Sequence, residues 1–241
     1  MPDTRKHRGP HPQDAELFHD DVHASLREAV SHLNWLLTRG YAVPSSLKLV
    51  GDRFTLTERQ RIAVVRSACS DESLADRASR RVDPTSLQGE TLDVDGFNLL
   101  TTVEAALSGG VLLLGRDGCL RDMASMHGSY RRVAETIPAL TLIGETLEAV
   151  QVAHCNWWFD QPVSNSGRLK TVMMNLSAER GWPWQIDLVP DPDNLLREST
   201  NIVVTADGPV LDDCDRWCNL AAEIVATQIA DARVVDLRDV T

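Results

Sequence analysis

The chain has 241 residues, 43% hydrophobic and 24% charged, a balance that excludes disorder throughout and suits one large domain or two small ones. No apolar run approaches the ~18–20 residues of a membrane helix, the start MPDTRKHRGPHPQD lacks a signal peptide's apolar stretch, and five cysteines without CxxC spacing make no disulfide framework, so a cytoplasmic chain with reduced thiols and no membrane partner is expected. The net charge of -11 argues against a general nucleic-acid binder, but it is uneven: residues 1–88 carry 13 Lys and Arg against 12 Asp and Glu, while residues 89–241 carry 11 against 23.

The first part reads as helical. Asp14 opens a helix running to about Arg39, where Gly40 stops it. Phe18, Val22, Leu26, Val30, Leu33 and Leu37 form one apolar stripe along it. The segment GYAVPSSLKLVGDRF reads as turn-like. Thr57 and Gln60 make a capping-box pattern ahead of Ile62, Val64 and Val65. A charged helix follows from Asp71 to Arg81, and VDPTSLQGE reads as a linker, which places a boundary near residue 88. The expected organisation is a helical domain over 1–88 and a second domain over 89–241.

From there the rhythm changes. Short apolar runs (TLDVDGFNLL at 91–100, VAHCNWWFD at 152–160, WQIDLV at 184–189, NIVVTAD at 201–207 and ARVVDL at 232–237) alternate with helical segments near 129–150, 166–179, 191–198 and 209–230. VLLLGRDGCLRD (111–122) reads as a hairpin turning at Asp117-Gly118. This alternation predicts an α/β layer with a mainly parallel sheet, whose ligands sit beyond the carboxyl ends of the strands.

Three of those runs end in an acid: Asp95, Asp160 and Asp207, with Asp212 and Asp213 about one helical turn after the last. In a parallel sheet these ends share one edge. Carboxylates gathered there repel one another unless a cation neutralises them. Oxygen-only ligation suits Mg²⁺ or Mn²⁺, which activates water for phosphodiester hydrolysis. A strand-end Asp is equally an ordinary turn former or helix cap, and Asp160, ahead of QPVSNSG, has that explanation ready.

LDVDGFNLL resembles the opening strand of PIN-like and NYN nuclease domains, in which Asp-Gly-x-Asn ends the first strand. IVVTAD followed by LDD is similar to the later strand of that superfamily, with its Thr-x-Asp and a nearby acid. HRGPHP, LLTRGY, LKLVGDR, RQR, RDGCLRD, HGSY and DQPVSNSGRLK, together with VDGFNLL and VVTAD, resemble over nearly the whole chain an uncharacterised prokaryotic family of unknown function. The resemblance implies a PIN-like three-layer α/β domain with a mainly parallel central sheet behind a small all-helical domain. It implies metal-dependent cleavage of nucleic acid, RNA ahead of DNA. Asp95 would be the first acid, Asp207 the later one, and Asp212 or Asp213 the last. Glu104 or Asp122 would be the helix acid, and Asn98 would lie beside the substrate.

Other residues surround this edge. Ser164, Asn165 and Ser166 can cap the next helix, Gly167 permits close backbone approach, and Arg168 and Lys170 could make that helix start a phosphate cradle. RDGCLRD and HGSY supply Arg121, His127 and Tyr130 for a loop over the edge, with His127 a weak general-base candidate. Arg53, Arg59, Arg61 and Arg66 make either a basic face for phosphates or a salt-bridged surface. His19 and His23 at helical spacing are a zinc pair or solvated side chains, and Cys214 and Cys218 are core thiols more readily than ligands. Trp157, Trp158, Trp182, Trp184 and Trp217 are assigned to the core. RNA and a second copy of the chain, as a homodimer, are the partners considered, and three functions stay open: a Mg²⁺- or Mn²⁺-dependent nuclease; a non-catalytic RNA- or protein-binding module; and a haloacid-dehalogenase-type phosphatase using Asp93 and Asp95. The last is disfavoured because Lys170 precedes Thr205.

Overall fold

A computed structural model describes residues 7–124 and 128–238. The helix expected from Asp14 is two: α1 (Asp14–Leu17) and α2 (Asp20–Thr38). Buried Phe18 ends the first, and extended His19 starts the second, its ring accepting from the Asp21 N–H. GYAVPSSLKLVGDRF is not a turn: it contains α3 (Val43–Arg53). Pro44 sits in the first turn, where its missing N–H is no loss, and Gly51 lets the Arg61 guanidinium lie where a Cβ would stand. The Thr57–Gln60 capping box opens α4 (Glu58–Ser67), and α5 (Asp71–Arg80) follows, capped by Ser70.

The second part holds a six-stranded sheet in the order β1-β8-β7-β2-β5-β6, every pairing parallel. Its strands are β1 (Arg81–Val82), β2 (Thr91–Asp95), β5 (His154–Asp160), β6 (Trp184–Val189), β7 (Ile202–Val204) and β8 (Trp217–Cys218). The segment read as a linker thus contributes an edge strand, β1, and a single 3₁₀ turn at Pro84–Ser86. A second sheet, in the order β4-β3-β9, contains the expected hairpin of β3 (Leu112–Leu114) and β4 (Leu120–Asp122) plus β9 (Val234–Asp236). Gly118, at φ +76°, makes the hairpin turn that a side chain would strain. The helices are α6 (Gly96–Leu107), α7 (Thr136–Ala149), α8 (Ser166–Arg180), α9 (Pro192–Arg197), α10 (Gly208–Asp213) and α11 (Leu220–Gln228). The stretch 209–230, read as one helix, is divided by β8.

Alternation along the strands builds two cores. Leu92, Val94, Trp157, Phe159, Ile202 and Val204 pack with α6, α7, α8 and α11. Val203 and Trp217, facing the other way, pack with Leu196, Val210 and Leu211 of α9 and α10. The N-terminal helices do not stand apart. Leu26, Val30 and Leu33 of α2 and Val64 of α4 share one apolar cluster with Leu113, Met123 and Val235 of the small sheet. Among the described residues no helix is long and apolar enough to cross a membrane.

After the edge strand β1 the chain enters the middle of the large sheet at β2, goes outward to β5 and β6, then returns to β7 on the other side. The strand order therefore reverses between β2 and β7, and the crevice beyond their carboxyl ends is where such sheets bind ligands.

Candidate functional site

A cleft of about 770 Å³ opens at that point. One wall comes from the helical part, with Leu37, Val43, Val65, Arg66 and Arg77. The sheet edge supplies Asp95, Asn98, Asp193, Asp207 and Asp212, and the hairpin adds Arg121 and Asp122.

The Asp-Gly-x-Asn stretch builds the floor. Asp95 ends β2 and caps α6, accepting from the Asn98 N–H at 3.3 Å. Gly96 lies against the Phe159 ring, where a Cβ would come within 2.4 Å. The Asn98 side-chain oxygen accepts from the Ala206 N–H at 2.9 Å and so ties the start of α6 to the loop after β7. In that loop the Thr205 hydroxyl donates to Asp95 at 2.8 Å and accepts from the Asp207 N–H at 3.0 Å. Thr205 thereby fixes the two strand-end acids relative to each other. Gly96→Ala should lower stability by roughly 1–3 kcal/mol through this overpacking. Gly167→Ala, with nothing within 4 Å of its added methyl, should not, and urea denaturation of both variants checks it. That open space also removes the close backbone approach expected at Gly167.

Burial is the main force on Asp95. It pushes the carboxyl up to about 7, against the opposing hydrogen bonds from Thr205 and Asn98, and the charges of Asp207 and Asp193 push the same way. Asp193 is itself raised by burial and by Asp207 and Asp160, and Asp160 by burial and Asp191. The carboxyl ends of β7, β2, β5 and β6 thus carry a row of mutually repelling acids. Asp193 is a site residue that the sequence reading passed over. Its signal was there, because Asp191-Pro192-Asp193 follows β6 as the other acids follow their strands.

The remaining assignments divide. Asp212 lines the cleft but is ion-paired to Arg77 at 2.7 Å, and Asp213 points outward towards Arg197 at 3.6 Å. Asp160 lies beside Asp193 in the acid row, outside the cleft lining. Glu104 is not at the site. It is fully buried on the opposite side of α6, where Arg8 donates to it at 2.7 Å and the Tyr130 and Thr136 hydroxyls at 2.6 Å each. Its rival Asp122 is the acid that reaches the cleft, held by the Thr101 and Thr102 hydroxyls at 3.0 and 3.2 Å.

The expected phosphate cradle does not join the acids. Asn165 is left-handed at φ +71° and donates to the Tyr130 carbonyl, Ser164 bonds the backbone of Gly128, and Ser166 is buried. None of these three side chains caps α8. Lys170 pairs with Asp187 at 3.1 Å, and Arg168 makes only a 3.4 Å contact to Asn165. Arg121 lines the cleft but is committed. It grips buried Asp117 with two bonds and donates to the Ala206 carbonyl.

The proposed basic face dissolves similarly. Arg59 binds Asp14, Arg61 binds Asp52, and Arg66 donates to the Asp122 and Ala124 carbonyls. His19 pairs with Asp21 and His23 with the Phe18 carbonyl. Cys214 and Cys218 are buried in different cores. His127 lies outside the described residues. Asp93, the phosphatase nucleophile, is buried in mid-strand and accepts from Asn156, Trp158, Ser199 and Asn201. A carboxylate so saturated, away from the cleft, is no nucleophile.

Residues 84–223 match the family model described as "Domain of unknown function (DUF5616)". The chain belongs to that family. Residues 25–80, the helical wall of the cleft, match a second model, "Protein of unknown function (DUF434)". The chain is similar to the uncharacterised protein MJ0935 of Methanocaldococcus jannaschii, with 27% identity over 145 residues covering 60% of this chain and 69% of that one. No solved structure matches it. The DUF5616 match contains all four strands that carry the acid row.

A divalent ion is tested by the donors present. Among the described residues no three His, Cys, Asp or Glu side chains gather closely enough to cage a metal, which speaks against a closed site of zinc type. Asp95 and Asp207 instead offer two carboxylates without an ion-pair partner. Mg²⁺ commonly binds through one or two carboxylates and completes its shell with water and substrate oxygens. The donor set fits such an open site.

Proposed function

We propose that the cleft is a nuclease site that hydrolyses a phosphodiester of RNA, ahead of DNA, with Mg²⁺ or Mn²⁺ held by Asp95 and Asp207. One observation carries the reading: at the switch point the Thr205 hydroxyl ties the Asp95 carboxylate to the Asp207 backbone N–H, and burial, with the neighbouring acids Asp207 and Asp193, pushes Asp95 towards protonation. The ion would supply an acidified water and charge for the phosphate. The chain supplies the geometry. Thr205 and the Asn98 N–H orient Asp95, Asn98 holds the Asp207 loop, and Asp193 and Asp122 flank the pair with further acceptors. A polyanion then meets a cleft whose arginines already serve other partners, so its affinity depends on the cation.

A second reading, a binding module without turnover, draws on Asp212 and Glu104. Both acids implied for catalysis are neutralised, by Arg77 and Arg8. A labelled unstructured RNA and the matching single-stranded DNA, each incubated with Mn²⁺ or with EDTA, separate the readings. Cleavage of RNA in Mn²⁺ that stops in EDTA is expected. Binding without cleavage would select the module, and neither would remove both.

A further inference from the structure

The helical wall has an outer face that the cleft does not use. Trp35 is 54% exposed, Tyr41 57% and Leu49 61%. Trp35 and Leu49 border a groove of about 530 Å³ between α2 and α3, lined also by His32, Leu36, Val50 and Arg53. Nothing in the fold covers it, although elsewhere large aromatic rings are packed away: Trp157 and Trp217 are fully buried.

Two arginines flank this groove. Arg39 stacks over the Trp35 ring with its guanidinium carbon 3.7 Å from the centroid, and Arg53 lies over Phe54 at 5.8 Å. Arg53 has no carboxylate partner among the described residues, while Arg39 donates to the Trp35 carbonyl at 3.2 Å and its charge acts on Asp71. The nearby acid Asp52 is shared by Lys48 and Arg61, and Glu28 lies 3.8 Å from His32. In a chain of net charge -11, Arg39 and Arg53 beside an exposed tryptophan form a local cationic, aromatic surface. Single-stranded nucleic acid is recognised by this combination, with bases on ring faces and cations along the backbone.

The groove also leads to the cleft. Leu36 lines the first and its neighbour Leu37 the second. The turn carrying Tyr41 connects α2 to Val43, whose side chain lines the cleft and is itself exposed.

We infer that the Trp35–Arg53 face of α2 and α3 is a base-stacking platform that receives single-stranded RNA on its way into the acid-lined cleft. This rests on the proposed nuclease reading for its direction, but the platform needs no metal. The platform supplies the stacking that the cleft lacks and, in Arg53, a cation without a carboxylate partner among the described residues, and the cleft supplies the scissile chemistry.

The test is fluorescence anisotropy of a fluorescein-labelled 15-nucleotide unstructured RNA in EDTA, with wild type, Trp35→Ala and Arg53→Ala, alongside cleavage of the same RNA in Mn²⁺. Both side chains are at the surface, and circular dichroism checks that each variant is folded. Trp35→Ala is expected to weaken binding about tenfold, the loss of one stacked base. Arg53→Ala should reduce the slope of log K against log salt by roughly 0.7, the loss of one phosphate contact. Unchanged binding in both variants, with wild-type cleavage intact, would overturn the platform and leave the nuclease reading standing. Weakened binding with no cleavage by wild type would leave the platform and remove the nuclease. A shift of Trp35→Ala from dimer to monomer on size exclusion, with RNA binding unchanged, would assign the face to a second copy of the chain and overturn the inference.

Discussion

Asp95→Asn is expected to lose Mn²⁺-dependent cleavage by roughly a thousandfold, the several kcal/mol that metal-ion chemistry supplies to such a step, while the protein folds normally. Asn is as good a helix cap as Asp: its one side-chain oxygen can keep the bond from the Asn98 N–H, and its amide N–H then faces the Thr205 hydroxyl, which accepts where it donated to Asp95. What is lost is the charge. The same charge predicts an opposite effect on stability. Asp95 has a folded pKa of about 7 against about 3.9 for an unfolded carboxyl. Between those values the folded chain holds a proton that the unfolded chain has released. Metal-free stability therefore falls as pH rises from about 4 to about 7 and stays low above it. Removing the ionisable group removes that penalty. The variant should melt higher than wild type at pH 8 in EDTA and not at pH 4, while added Mg²⁺ stabilises wild type more than the variant. A variant that melts lower at pH 8 would show that Asp95 is structural.

The largest stability effect is expected at Asp117, which no part of the chemistry touches. Its buried carboxylate accepts from Arg77 and Arg121 at 2.6 Å each, and their side chains are themselves largely buried. Arg77 belongs to α5, Arg121 to β4, and through them the hairpin, the helical wall and the Ala206–Gly208 loop are joined. Asp117→Asn leaves two buried guanidiniums with no shared countercharge and should destabilise by about 3–5 kcal/mol, as broken buried pairs do. Urea denaturation at pH 7 measures it, and a loss below about 1 kcal/mol would mean that water reaches the pair. The two arginines hold the Asp117 carboxyl well below the usual range, outweighing burial. Its contribution is thus present above the unfolded pKa of about 3.9 and fades as pH falls below it, towards the folded value. Asp117 therefore gives wild type an acid limb below about pH 4, where the Asp95 effect alone would leave stability at its highest.

The parts of this fold that were legible are those dictated by short-range periodicity and by chemistry at strand ends. WQIDLV is β6 to the residue, Thr57 and Gln60 form their capping box, and Asp95, Asn98 and Asp207 do converge. The failures have physical causes. The segment 43–53 carries Pro44 and Gly51, which punctuate most chains. Here the proline serves the first turn of a helix, and the glycine makes room for Arg61, a contact set by packing between α3 and α4. The edge strands β1 and β8 are two residues each, too short to show any period. Glu104 misled because its position after the first strand suits a helix acid. What decides its role is Arg8, 96 residues earlier, delivering a charge into the core behind α6. Of the two alternatives open for Arg59, Arg61 and Arg66, the salt-bridged one holds for Arg59 and Arg61, and Arg66 binds carbonyls; which it would be depended on tertiary contacts. Trp35 escaped notice because exposure is not written in a sequence, and its neighbours in the stripe are core residues.

The central claim is that the carboxylates beyond β2 and β7 exist to hold a cation. Anomalous diffraction from a crystal soaked in Mn²⁺ tests it most directly. One strong peak is expected in the cleft, about 2.1 Å from an oxygen of Asp95, of Asp207 or of both, and none in Asp95→Asn crystals. A cleft with no peak, or a peak only at Asp213 or Asp191 on the outer surface, would contradict it.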